Sequence, residues 1–114
     1  IGVDQNYFLE VKKILPQAKT IASFHDFTKT PEVLDPIFDE LFSIKTDYIK
    51  IACYANDEKD ADKMIEFCSR KRSEGHLVIG ICMGIKGVKT RLHSLFDYRA
   101  IPFAKKVAEG QFLL

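Results

Sequence analysis

The sequence carries almost no net charge: 17 lysines and arginines against 16 aspartates and glutamates leave a formal +1. Nothing of one sign is present to recruit nucleic acid or an anionic membrane surface. No apolar run approaches the ~20 residues a membrane-spanning helix needs, and the N-terminus lacks a signal-peptide pattern. Low-complexity segments, linkers and internal repeats are also missing. Cysteine is scarce and odd in number: Cys53, Cys68 and Cys82 lie inside apolar segments with no CxxC pair. That excludes a disulfide framework and a zinc site, and reads as reduced core thiols in a cytosolic or similarly reducing compartment. There is no initiator methionine; "IGVD" opens as if in mid-strand and "GQFLL" stops on bare apolar residues. Both ends look cut from a longer chain.

What is present is a regular alternation of segment types in 114 residues, 46% hydrophobic and 29% charged, an ordinary globular balance. "NYFLEVKKILPQA" (6–18) has apolar residues at helical spacing, and "TIASF" (20–24) is strand-like. "TPEVLDPIFDELFSI" (30–44) reads as a helix with Thr30 as N-cap and Pro31 at the first helical position. "DYIKIACY" (47–54) is a strand. "DEKDADKMIEFCSRKRSEG" (57–75) is a helix with an acidic first turn, a basic last turn and a terminal glycine. "HLVIGIC" (76–82) is a third strand, followed by the glycine-bearing loop "MGIKG", a short helix around 87–96 and a weaker strand, "RAIPF". Strands alternating with helices imply βα units and a parallel α/β sheet. Such units build a small three-layer sandwich or an arc of a (βα)8 barrel; a whole barrel takes about 250 residues.

Lys50 carries the most chemical information. Side chains alternate along a strand, so Tyr48, Lys50 and Ala52 share one face while Ile49, Ile51 and Cys53 share the other. An ammonium among apolar neighbours is disfavoured, its pKa falls, and the neutral amine can attack a ketone to form an imine. The alternative is an edge-strand lysine that snorkels to water. His25 follows "TIASF" at the C-terminal end of a strand, where α/β folds place their sites, or is an ordinary loop histidine. Asp26 reads as a turn residue. His76 reads as a surface residue at a strand entry and His93 as a helix-surface residue. Arg91, beyond the glycine loop, offers a cationic fork suited to a carboxylate, although a solvated turn explains the loop equally. "DEKDAD" (57–62) lacks the glycine and glutamate of a calcium loop and reads as a charged helix start.

In order, "SFHDFTKTP", "DYIKIA", "MGIKGVKTRL" and "GQ" closely resemble motifs of type I 3-dehydroquinate dehydratase: S-x-H-D-F-x-x-T-P, D-x-x-K-I-A, M-G-x-x-G-x-x-S-R and A-P-G-Q. The resemblance covers about residues 1–111 and implies that residues 1–114 are the C-terminal half of a (βα)8 TIM barrel, about four βα units. It implies dehydration of 3-dehydroquinate to 3-dehydroshikimate, a step of the shikimate pathway and of aromatic amino acid biosynthesis. No cofactor or metal is implied. Lys50 resembles the imine-forming lysine, His25 the general acid/base, Arg91 the arginine that grips the substrate carboxylate, and Gln111 the glutamine on the ring hydroxyls. The implied setting is cytoplasmic, away from nucleic acid and membrane, with a homo-oligomer or the rest of the barrel, fused or associated, as partner.

Departures accompany the resemblance. Thr90 stands at the family's serine, Glu109 replaces the proline of A-P-G-Q, and Val107 replaces a serine. "FDYRAIPF" lacks the family's F-G-S, and Asp4 in "IGVD" matches a D-x-E strand motif only loosely. The first three βα units have no counterpart, so the isolated piece is expected to be poorly stable and weakly active, with unpaired sheet edges. Two competing readings stand beside the dehydratase: a non-catalytic half-barrel assembly module, favoured by the altered loop, and another Schiff-base lyase of the class I aldolase kind. The retained lysine, histidine, arginine and glutamine weigh against the first, and the paired H-D-F and M-G-x-x-G-x-x-(S/T)-R motifs against the second.

Overall fold

A computed structural model of the chain describes residue 13 and residues 19–93, with the side chain of His93 left aside. The expected helix over 6–18 (except Lys13), the "RAIPF" strand, Asp4, Val107, Glu109 and Gln111 lie outside the described residues. Within residues 19–93, three strands and three α-helices alternate: β1 (Ile21–Asp26), α1 (Asp35–Phe42), β2 (Tyr48–Tyr54), α2 (Glu58–Ser73), β3 (Val78–Met83) and α3 (Val88–His93). A single 3-10 turn, Ile85–Gly87, precedes α3. The strands form one sheet in the order β1-β2-β3, and both pairings are parallel.

One sheet face is the core. Ala22, Ile49, Ile51, Cys53, Val78 and Cys82 pack there beneath Leu34, Phe38 and Leu41 of the α1 region and Met64, Phe67 and Cys68 of α2. Leu41, Ile51, Met64, Phe67 and Val78 are essentially inaccessible, and burial of each such side chain contributes about 1.5–3 kcal/mol. Gly80 lets α2 lie close: a β-carbon there would sit 2.0 Å from the Cys68 sulfur and 2.8 Å from the Met64 sulfur. All three cysteines are free and buried, as their apolar settings imply. Burial pushes the thiols of Cys53 and Cys68 up to about 12 and that of Cys82 up to about 11.

The ends of the elements show which local signals prevailed. Asp57 caps α2, its carboxylate accepting from the Lys59 amide at 2.8 Å; acidic residues occupy the first turn and Arg70, Lys71 and Arg72 the last. The helix expected over 30–44 is shorter. It begins at Asp35, and Leu34, which gives no side-chain cap, precedes it. Pro36 is the reason. In a helix started at Pro31, Pro36 would be interior, lacking its amide and clashing with the Glu32 carbonyl, whereas beside Asp35 it sits in the first turn. Thr30 is therefore no cap: its buried hydroxyl donates to the Tyr54 carbonyl at 2.9 Å. His76 is also not a simple surface residue. Its ring meets Phe38 and Phe42 edge-on, at centroid distances of 4.9 and 5.1 Å, and helps close the lower end of the core.

Register is fixed where β1 and β2 begin. Asp47 accepts from the Thr20 amide (2.8 Å) and hydroxyl (3.0 Å), and the Asp47 amide donates back to the Thr20 hydroxyl at 3.1 Å. The resulting alignment pairs Ser23 with Lys50 and His25 with Ala52, and in turn Lys50 with Ile79 and Ala52 with Ile81. These residues share the second sheet face, where Ala52, Ile79 and Ile81 form a smaller apolar cluster with Met83.

Candidate active site

Strand β1 runs through Asp26, so His25 is a strand residue rather than the first residue of a loop. This matters because its direction is then set by the pleat: it stands on the same face as Lys50, one strand away and two residues further along. Strands about 4.8 Å apart with a rise of about 3.3 Å per residue put the two Cα atoms about 8 Å apart, within reach of a lysine stem. The His25 ring lies exposed and stacks on Phe27, with centroids 5.8 Å apart and ring planes 13° from parallel.

Asp26 shapes the turn that carries Phe27. One carboxylate oxygen accepts from the Thr28 amide (3.0 Å), the Thr28 hydroxyl (2.8 Å) and the Lys29 amide (3.1 Å). Those bonds, the Thr28 amide foremost, hold its carboxyl below the usual range, so Asp26 serves the backbone, as a turn residue should. Asn56, after β2, donates to the Thr28 carbonyl at 3.0 Å and ties the loop after β1 to the loop after β2. A cavity of about 280 Å³ opens at this rim between Tyr54, Ala55, Asn56, Ile85 and Lys86, beyond the C-terminal ends of β2 and β3.

Lys50 is half-buried, with Ser23 beside it on β1 and Ile79 on β3. Burial, and then the Arg91 guanidinium, lower its pKa, both disfavouring the ammonium. The partial desolvation of an otherwise exposed ring, and then Lys50, likewise lower the pKa of His25. Arg91 is 5% exposed on α3, and burial makes its own charge less favourable too, although a guanidinium keeps its proton in a protein. Lys50 on β2 thus stands between two basic groups, His25 of β1 and Arg91 of α3.

The connection from β3 to Arg91 depends on glycine. Gly84 takes a φ of 90°, open to glycine at no steric cost, and turns the chain into the 3-10 segment. Thr90, read from sequence only as a serine substitute, is 2% exposed; its hydroxyl accepts from the Cys82 amide at 2.9 Å and donates to the Gly87 carbonyl at 2.7 Å. A hydroxyl three residues after a helix-start glycine is the sequence signal that could have marked this bond. Of the four expected site residues, then, the fold sets His25 beside Lys50 on one sheet face and Arg91 within electrostatic range of Lys50, and Gln111 lies outside the described residues. Among the described residues no group of three or more histidine, cysteine, aspartate or glutamate side chains could hold a metal ion, and no helix is long and apolar enough to cross a membrane.

A desolvated lysine and an imidazole on one sheet face, with a guanidinium from α3 acting on the lysine, can together bind a carbonyl compound that bears an anionic group and move protons on it. The α/β fold with parallel strands and this basic cluster define the class. The chain belongs to the Type I 3-dehydroquinase family, which it matches over residues 3–112. It is 34% identical over 87 residues to the 3-dehydroquinate dehydratase of Thermodesulfovibrio yellowstonii, covering 75% of this chain and 38% of that protein. It is 36% identical over 101 residues to that of Methanocaldococcus jannaschii, covering 83% of this chain and 44% of the other. A crystal structure of type I 3-dehydroquinate dehydratase from Clostridium difficile, holding covalently modified comenic acid, matches with a TM-score of 0.76 at 28% identity, over 96% of this chain and 46% of that one. The chain therefore spans less than half the length of the relatives it matches.

Proposed function

We propose that the chain is the C-terminal half of a (βα)8 barrel and carries the reacting groups of a 3-dehydroquinate dehydratase. One observation carries the reading: Lys50 and His25 stand on one face of adjacent strands, with the Lys50 pKa lowered by burial and then by Arg91. Family membership over residues 3–112 supports the choice of substrate.

The steps follow from the groups. Neutral Lys50 adds to the substrate ketone, and the resulting carbinolamine, its hydroxyl protonated by the His25 imidazolium, loses water to become an iminium and leaves His25 neutral. The iminium draws electrons from the adjacent carbon, whose proton His25 removes to give an enamine. Protonated His25 then returns that proton to the neighbouring hydroxyl, which departs as water while the double bond forms. Hydrolysis of the conjugated imine restores the Lys50 amine and frees 3-dehydroshikimate. Arg91 pairs with the substrate carboxylate and Gln111 with its ring hydroxyls. Nucleophile, acid/base and anion grip are all side chains, so the sequence of steps uses no cofactor.

The remaining barrel units, supplied by a longer form of the chain or by an associated partner, complete the substrate enclosure. Three free, buried thiols suit a reducing, cytoplasmic setting. Borohydride reduction in the presence of 3-dehydroquinate, followed by peptide mass mapping of the full chain, tests the reading. A stable adduct on Lys50 and none in Lys50→Met is the expected result; a folded chain that turns over 3-dehydroquinate with Lys50 unmodified overturns it.

A further inference from the structure

Arg91 sits near the start of α3, and its neighbour Thr90 is placed to fix that turn. Its hydroxyl is buried at 2% exposure and has both of its hydrogen-bonding roles filled, accepting from Cys82 on β3 at 2.9 Å and donating to Gly87 at 2.7 Å. The same turn is pressed onto the strand: a β-carbon on Gly87 would lie 2.2 Å from the Cys82 carbonyl oxygen. Cys82 is itself in register with Cys53 on β2, the strand that carries Lys50. Strand β2, strand β3, the Thr90 hydroxyl and Arg91 thus form one continuous connection that closes back on Lys50, whose protonation Arg91 disfavours.

We propose that Thr90 is a positioning residue of the site: its hydroxyl ties the first turn of α3 to β3 and thereby holds Arg91 against Lys50. The inference builds on the roles proposed above for Lys50 and Arg91. Serine keeps the hydroxyl and both bonds, whereas valine keeps the shape, loses both bonds and leaves the Cys82 amide without its acceptor. A merely structural residue would change stability alone; a positioning residue must also change the protonation of Lys50.

The test uses the full chain with Thr90→Val, Thr90→Ser, Arg91→Gln and the Thr90→Val/Arg91→Gln pair. Acetic anhydride labelling of Lys50 is followed across pH by peptide mass, beside borohydride trapping with 3-dehydroquinate. In Thr90→Val and in Arg91→Gln the labelling midpoint is expected to move to higher pH, and the double variant to move no further than Arg91→Gln alone. Thr90→Ser should keep the wild-type midpoint. A folded Thr90→Val at the wild-type midpoint overturns the proposal, as does a double variant in which the two shifts add. Should Thr90→Val fail to fold, Thr90→Ser decides: a folded serine variant with a displaced midpoint overturns the connection, and one at the wild-type midpoint supports it. Absence of a 3-dehydroquinate adduct in the wild type would instead count against the dehydratase reading, and the labelling midpoints would still report on Thr90.

Discussion

A lysine whose ammonium is disfavoured by burial should weaken the fold that holds it, and Lys50→Met measures by how much. Methionine nearly matches the stem in shape and removes the charge. In the folded chain the Lys50 pKa lies below its ordinary 10.5, because burial first and Arg91 second disfavour the ammonium. The unfolded chain therefore binds this proton more tightly than the folded one. Stability is full above pH 10.5 and is lost as pH falls through the lowered folded value, so the penalty is greatest at neutral pH. Replacing a desolvated charge by an apolar side chain can stabilise by about 1–4 kcal/mol, and half-burial puts this site near the low end, about 1 kcal/mol. For a chain of this size that is a rise in Tm of about 4 °C. Thermal unfolding followed by circular dichroism, at neutral pH and again near pH 10.5, reads both the gain and its disappearance. A variant less stable than wild type at neutral pH, or a gain that persists unchanged into alkali, would refute the claim that the surroundings of Lys50 disfavour its protonation.

Two further outcomes follow from the same geometry. His25, its pKa lowered by partial desolvation and then by Lys50, should titrate below 6.5 by NMR and move upward in Lys50→Met; a midpoint at or above 6.5 in the wild type would remove the electrostatic link. Its contribution to stability is accordingly present above pH 6.5 and lost as pH falls through the folded value. Gly80→Ala forces a β-carbon to 2.0 Å from the Cys68 sulfur and should cost about 1–3 kcal/mol in urea unfolding. Adding Cys68→Ala should recover part of that loss, and no recovery would mean that the contact between α2 and β3 is not what fixes the glycine.

The sequence was most legible where one signal acted without rivals. Helix α2 has an aspartate cap, opposite charges at its two ends and a glycine beyond, and its observed span, Glu58–Ser73, lies within the expected range. Strands β2 and β3 likewise fall within two residues of their apolar runs. The segment before α1 had two competing starts, Thr30-Pro31 and Asp35-Pro36, and only the second leaves both prolines outside the helix interior. His76 was misread because no local pattern shows that Phe38 and Phe42, from another element, will meet its ring. In the candidate site, the apolar flanks of Lys50 pointed to a desolvated amine, with a snorkelling edge lysine fitting them equally, and Lys50 is half-buried. Arg91 stood out only beside a glycine loop that a solvated turn explained equally, because its burial depends on the packing of α3 against β3, which no local pattern shows.

Between a motif and a site stands the register of two strands. Slipping β2 by one residue would turn Lys50 onto the opposite face and put Ile49 or Ile51 beside His25. Apolar patterning does not forbid this on its own, because Tyr48, Ala52 and Tyr54 are not strongly polar and β2 is apolar on both faces. What does forbid it is polar and lies at the strand entrance. The Asp47 carboxylate and amide exchange three hydrogen bonds with Thr20, of 2.8, 3.0 and 3.1 Å, and the Thr46 hydroxyl accepts from the Ala22 amide at 3.2 Å. No neighbouring alignment offers Thr20 a carboxylate. The aspartate that opens "DYIKIA" is thus tied to the lysine three residues later: it fixes the alignment that puts an amine and an imidazole on one face, the juxtaposition that the proposed reaction requires.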